Sequence, residues 1–114
     1  MVVNHVVCLR FRESASAAEI ADIVAGFRAL AHVEALRCTS FEGGVNSSAE
    51  GLSAPFGAPS AGAGATHIFL LKFATAEDVS AYLLHDAHTA FVAKLRPLLA
   101  ADGGVFVADF KPEF

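Results

Sequence analysis

Apolar and polar positions alternate along the first stretch of the chain. Val3, His5, Val7, Leu9 and Phe11 share one parity and Val2, Asn4, Val6, Cys8 and Arg10 the other, a period of two that predicts a strand over Val2 to Arg12. The period then lengthens. Ser16-Ala17-Ala18-Glu19 has the form of a capping box, in which the hydroxyl accepts from a first-turn amide and the carboxylate reaches back to the cap amide, so a helix starts there. Ile20, Ile23, Val24, Phe27 and Leu30 follow at helical spacing as one apolar stripe, with Glu19, Asp22 and Arg28 off it.

Glu34 to Gly43 reads as a second, irregular strand that ends at Gly43-Gly44. The stretch from Val45 to Ala65 is rich in Ser, Gly, Ala and Pro and has no period, which predicts a long flexible loop at about 45–65. Alternation returns over Thr66 to Phe73, with His67, Phe69, Leu71 and Phe73 on one face and Ile68, Leu70 and Lys72 on the other, a third strand. Thr75-Ala76-Glu77-Asp78 is a second capping signal, ahead of a short stripe of Val79, Tyr82 and Leu83. A further helical stretch, Ala87 to Leu99, carries Phe91, Val92, Leu95, Leu98 and Leu99, and Pro97 is expected to distort its last turn. Gly103-Gly104 turns the chain into a fourth strand, Val105 to Phe110.

This βαββαβ order, with the second helical region split, predicts an α+β fold of the ferredoxin-like kind: a four-stranded antiparallel sheet with helices on one face. The helices cover one side only. The other side would show Val2, Val6, Cys8, Ile68 and Leu70, or the set of opposite parity, a patch too apolar to leave in water. Two sheets packed face to face across a two-fold axis would bury both patches, so a homodimer resembling a barrel is expected.

Composition narrows the partners. A chain of 114 residues suits one domain over 1–114, and ten Phe among 54% hydrophobic residues exclude a disordered chain. The eight Lys and Arg are scattered and outnumbered by twelve Asp and Glu, so nucleic acid is not an expected partner. No membrane is expected either, because the run Ile68 to Leu71 falls far short of the roughly 20 residues a spanning helix needs. Val2 to Leu9 lacks the basic flank and cleavage site of a signal peptide, and Cys8 and Cys38 sit in apolar stretches as reduced thiols, so the expected compartment is the cytoplasm.

The candidate chemistry lies in five histidines and the lone tyrosine. His5 and His67 share the parity of their strands' larger apolar sets, so both are expected to point toward the helices, and into one space if the first and third strands are neighbours. Tyr82 and His88, six residues apart, would diverge by about 120° on an unbroken helix. A break with Asp86 as N-cap of the following helix would instead aim both at the same cleft. A helix N-terminus also favours neutral imidazole, the form a general base needs. Each residue has a plainer reading: a satisfied core histidine, a core aromatic, and for His85-x-x-His88 a polar helix surface. Only His85 and His88 are paired at metal-ligand spacing and the cysteines lie elsewhere, so no metal is expected, and no cofactor, since no phosphate-binding glycine loop is present.

His5 in the first strand, Gly44-x-Asn46 after the second, Thr66-His67 opening the third, Tyr82-x-x-His85-x-x-His88 between helices and Asp109-Phe110-x-Pro112 at the end recur together. In that order and spacing, over nearly the whole chain, the sequence resembles the stress-responsive α/β-barrel (Dabb) family. The resemblance implies a dimeric α+β barrel. One plant member of the family is a polyketide cyclase that closes a linear tetraketide by C2–C7 aldol condensation with retention of the carboxylate. His5, His67, Tyr82 and His88 match its polar pocket positions and His85 a flanking one. The resemblance therefore implies His88 as the base that removes a proton from the carbon between carbonyls, with Tyr82 hydrogen-bonded to the developing enolate or to the electrophilic carbonyl. It implies His5, His67 and His85 as substrate-binding residues, and a small apolar carbonyl compound as ligand. Two departures bear on the substrate: the loop at about 45–65 is longer, and Asp86 stands where the cyclase has proline. The second reading is a non-catalytic stress-response protein that binds a hydrophobic ligand, and the third a metal- or haem-dependent monooxygenase of the wider dimeric-barrel group.

Overall fold

The computed structural model describes residues 1–49, 64–101 and 104–114. Its four strands are β1 (Val3–Leu9), β2 (Cys38–Val45), β3 (His67–Phe73) and β4 (Val105–Phe110), all antiparallel in the order β2-β3-β1-β4. Its helices are α1 (Ala17–Ala31), α2 (Ala76–Leu84) and α3 (Asp86–Leu95). The two strands with the most regular alternation, β1 and β3, occupy the centre. There Val3, Val7, Leu9, Phe69, Leu71 and Phe73 are buried beneath Ile23, Phe27 and Leu30 of α1, Val79 and Tyr82 of α2, and Phe91 and Leu95 of α3. This is the ferredoxin-like α+β architecture expected from the element order.

Local chemistry sets the element ends. Ser16 Oγ accepts from the Glu19 amide and Glu19 Oε1 accepts from the Ser16 amide, both at 3.0 Å, so the capping box is complete. At Thr75 the hydroxyl accepts from the Asp78 amide at 3.1 Å. The second strand starts later than its composition suggests: Glu34–Leu36 form a single 3-10 turn that buries Leu36 and ends at Arg37 in the left-handed region, φ 57°. Past Leu95, Arg96–Leu98 tighten into another 3-10 turn, because Pro97 has no amide to continue the helix. Asn46 extends the β2–β3 pairing, donating from its backbone to the Thr66 carbonyl and from Nδ2 to the Ala65 carbonyl, each at 2.9 Å. Of the loop expected at about 45–65, residues 50–63 lie outside the described residues, as do 102 and 103 at the second glycine pair.

Helices do not reach over the whole sheet. Val105 and Val107 pair with Leu9 and Val7 and so face the helical side, yet they remain 52% and 48% exposed. The sheet is therefore open along its β4 edge. On the opposite face, Val6, Cys8, Ile68 and Leu70 lie beside Phe106 and Phe110, and no element among the described residues covers them. This is the apolar face expected from the strand parity.

Gly43 has a steric reason. A Cβ there would overlap the Phe69 ring and the Ile68 carbonyl oxygen, so the bare backbone is what lets Phe69 lie flat against β2. Gly43→Ala should destabilise the fold by about 1–3 kcal/mol and lower Tm by roughly 5–15 °C, read by calorimetry. An unchanged Tm would contradict this packing.

Candidate functional site

His5 is buried on the helix-facing side of β1, directly across the β1–β4 pairing from Asp109, and its Nδ1 lies 2.6 Å from Asp109 Oδ1. A carboxylate can only accept, so Nδ1 carries the proton and the Asp109 carboxylate fixes the ring's tautomer and tilt. The far side of the ring meets Tyr82 edge-on, with centroids 5.9 Å apart. In the sequence Asp109 stands out only as part of the terminal Asp109-Phe110-x-Pro112 motif. Its partnership with His5 depends on strand register, which no local pattern reveals.

Tyr82 and His88 are brought together by a one-residue break. His85 has extended backbone, φ −70° and ψ 143°, and closes α2 by donating from its amide to the Tyr82 carbonyl at 3.3 Å. Its Nδ1 accepts from the Ala87 amide at 3.0 Å and so caps α3. The expected break is present, but the cap is His85, and Asp86 is the first residue of α3. An imidazole lone pair substitutes for the carboxylate oxygen because the chain turns one residue earlier. Across this junction the Tyr82 and His88 rings stand 4.7 Å apart at 61°. The exposed His85 side chain is committed to the cap and does not line the cavity described next.

Tyr82, His88, His5 and Asp109 converge on a cavity of about 420 Å³ between the helices and the β1–β4 half of the sheet. Val7, Phe27, Leu83, Phe91, Val92 and Leu95 make most of the remaining wall, Val105 and Val107 border its open side, and Arg96 and Leu99 complete it. His67 is elsewhere. It pairs with Leu9, four residues along β1 from His5, a separation of about 13 Å. Its ring packs edge-on against Phe11, centroids 5.0 Å apart, and its Nδ1 lies 3.0 Å from Thr66 Oγ1. It lines a second cleft, beneath α1 and beside β2. Both histidines face the helical side, as their parity predicts, but the single space expected to hold them is two spaces.

Burial sets the protonation states. It pushes the Tyr82 phenol up, so the hydroxyl remains a donor across the working range, and this hydroxyl makes no hydrogen bond among the described residues. Burial also pushes His88 below the ordinary imidazole value of 6.5; the nearby His5 acts in the same direction, and a hydrogen bond to the Leu83 backbone partly opposes them. A neutral imidazole beside a protonated phenol in an apolar cavity is a base next to a hydrogen-bond donor. Among the described residues no three His, Cys, Asp or Glu side chains lie close enough to hold a metal ion, and no helix is long and apolar enough to cross a membrane.

Burial lowers His67 as well as His88, so the unfolded chain binds more protons than the folded one once pH drops below the ordinary value of 6.5. The sign follows: stability is greatest above 6.5 and declines as pH falls through that value toward the depressed folded ones. Thermal melts should give a lower Tm at pH 5.5 than at pH 7.5, with a smaller difference in His88→Asn. A flat Tm over this window would contradict the burial of these rings.

Residues 3–112 match the family described as the stress responsive A/B barrel domain. No curated protein matches the chain. Among solved structures, the At3g17210 protein of Arabidopsis thaliana is 27% identical, with 98% of this chain and 96% of that one covered and a TM-score of 0.77. A dimeric ferredoxin-like protein of unknown function from Jannaschia sp. is 22% identical, covering 97% and 99%, with a TM-score of 0.76. A hydroxynitrile lyase from Passiflora edulis shares the fold at 18% identity, covering 99% and 96%, with a TM-score of 0.75. With nearly its whole length matched and the ferredoxin-like sheet and helices in place, the chain belongs to the stress-responsive α/β-barrel (Dabb) family.

Proposed function

We propose that the protein is a cofactor-independent acid/base catalyst that acts on a small apolar carbonyl compound, of the polyketide cyclase type shown by the plant olivetolic acid cyclase. The observation that carries this reading is the Tyr82–His88 ring pair, 4.7 Å apart, in the wall of an otherwise apolar cavity of about 420 Å³. The free ring nitrogen of His88 takes a proton from the carbon between two carbonyls, and the electron pair moves onto the carbonyl oxygen, where the Tyr82 hydroxyl donates to the enolate. The carbanion carbon then attacks a second carbonyl of the same molecule. The resulting alkoxide recovers the proton from His88, and loss of water completes the condensation. His5, oriented by Asp109, keeps Nε2 for substrate or a water molecule. His67 and His85, which stand outside this cavity, have no part in that step. The free thiols Cys8 and Cys38 suit the reducing cytoplasm.

The decisive comparison offers a linear tetraketide thioester to the wild type, His88→Ala and Tyr82→Phe, with ring closure followed by mass spectrometry. Turnover should fall by about 10²–10⁴-fold in His88→Ala and about 10²–10³-fold in Tyr82→Phe, with a cooperative melt confirming that each variant is folded at the assay temperature. Equal product from all three rejects the assignment. Tight binding of an apolar ligand with no turnover would instead favour the non-catalytic stress-response reading.

The same proposal includes a homodimer through the open sheet face. Val6, Cys8, Ile68 and Leu70 are only half-buried within one chain, and Phe106 and Phe110 on the same face are exposed. Sedimentation at micromolar concentration should give twice the chain mass, and Phe106→Glu, which places a charge in that face, should give the single-chain mass. A wild type that sediments as one chain would refute the dimer.

A further inference from the structure

Arg96 is the permanent charge in the cavity wall that has no counter-charge. Asp109 is engaged by His5, whereas the guanidinium of Arg96 makes no ion pair among the described residues. Arg96 lies at positions i+4 and i+8 from Val92 and His88, on the same helical face, and side chains on such a face lean back toward the helix N-terminus. It borders both the main cavity and the shallow depression beside it, and His88 lines both. Arg96 is exposed, so its charge stands where the cavity meets solvent.

The inner end is closed by aromatic rings. Phe27 lines the main cavity, stacks on Phe91 at 4.9 Å and packs against Phe69 at 4.8 Å. Phe69 in turn lines the second cleft, that of His67. The two spaces are thus separated by the thickness of two buried rings, and the bare backbone of Gly43 allows the outer ring its position. One cavity wall thus carries a cation, the Tyr82–His88 pair and, at Phe27, a closed aromatic boundary.

We propose that the site takes a carbonyl compound carrying a single carboxylate, with the carboxylate held at the mouth by Arg96 and a short apolar tail ending against Phe27. This rests on the reading of the cavity as a carbonyl site and adds the substrate's polarity and length. A guanidinium fork matches a planar carboxylate, and a wall whose one guanidinium is accompanied by the Asp109 carboxylate, held by His5, suits a monoanion better than a phosphate ester, which needs several donors.

The test uses straight-chain δ-keto acids from hexanoic to tetradecanoic and the methyl ester of each. Tyr82 is the single tyrosine and the chain has no tryptophan, so intrinsic fluorescence reports occupancy of this cavity directly. The wild type should bind each acid about three- to tenfold more tightly than its ester, a preference lost in Arg96→Gln and in high salt while ester binding stays constant. Affinity should rise about fourfold per added methylene and then stop rising once the tail reaches the wall. In Phe69→Val, or in Phe27→Leu if the first does not fold, that stop should move to longer tails. Acid and ester binding alike in the wild type, or affinity still climbing fourfold per methylene at the longest acid, would overturn the proposal. The titrations are repeated in His88→Ala, so a failure of the base assignment leaves these results standing, and a failure here leaves the base assignment standing.

Discussion

The site hangs on the extended backbone of His85. An unbroken helix through this region would turn Tyr82 and His88 to different sides, since residues six apart differ by about 120°. One residue outside the helical region resets the phase, and it is stable because its own polar groups satisfy both helix ends: the amide closes α2 and the imidazole opens α3. The neighbouring helices can then pack on the sheet separately, as buried Val79 and Tyr82 on one and Phe91 and Leu95 on the other show. Loss of this cap would expose amide groups and also let the phenol and the imidazole drift apart.

Desolvation then assigns the roles. The same apolar surroundings that raise the phenol lower the imidazole, because in each case burial disfavours the charged form. The outcome is a donor beside a base with no charge between them. His5 is handled differently, by a carboxylate at 2.6 Å that holds its proton on Nδ1. The pair forms across neighbouring strands, so its geometry is as rigid as the sheet. The shortfall of helical cover over β4 has a separate consequence: it leaves Val105 and Val107 half-exposed and provides the way in.

The aromatic residues divide this interior. Phe27, Phe69, Phe91 and Phe41 contact one another through the middle of the helix–sheet layer and leave a space at either end. Residues of one strand parity are therefore not residues of one pocket. His5 and His67 point to the same side of the same sheet, and four residues of strand with a double ring between them assign them to different spaces.

By itself the chain's pattern determined the element order, the helix caps at Ser16 and Thr75, the inward parity of His5 and His67, the apolar second face of the sheet, and the need for a break between Tyr82 and His88. These are legible because strand alternation, helical stripes and caps are interactions among residues close in sequence. Tertiary structure alone decided the rest: that His85 rather than Asp86 makes the cap, that Asp109 orients His5, that His67 is walled off, and that Arg96 stands at the mouth. Each of these depends on contacts between segments distant in the chain or on a shift of one residue in a turn. The energy differences that select among such arrangements come from packing and burial, to which composition and periodicity are blind.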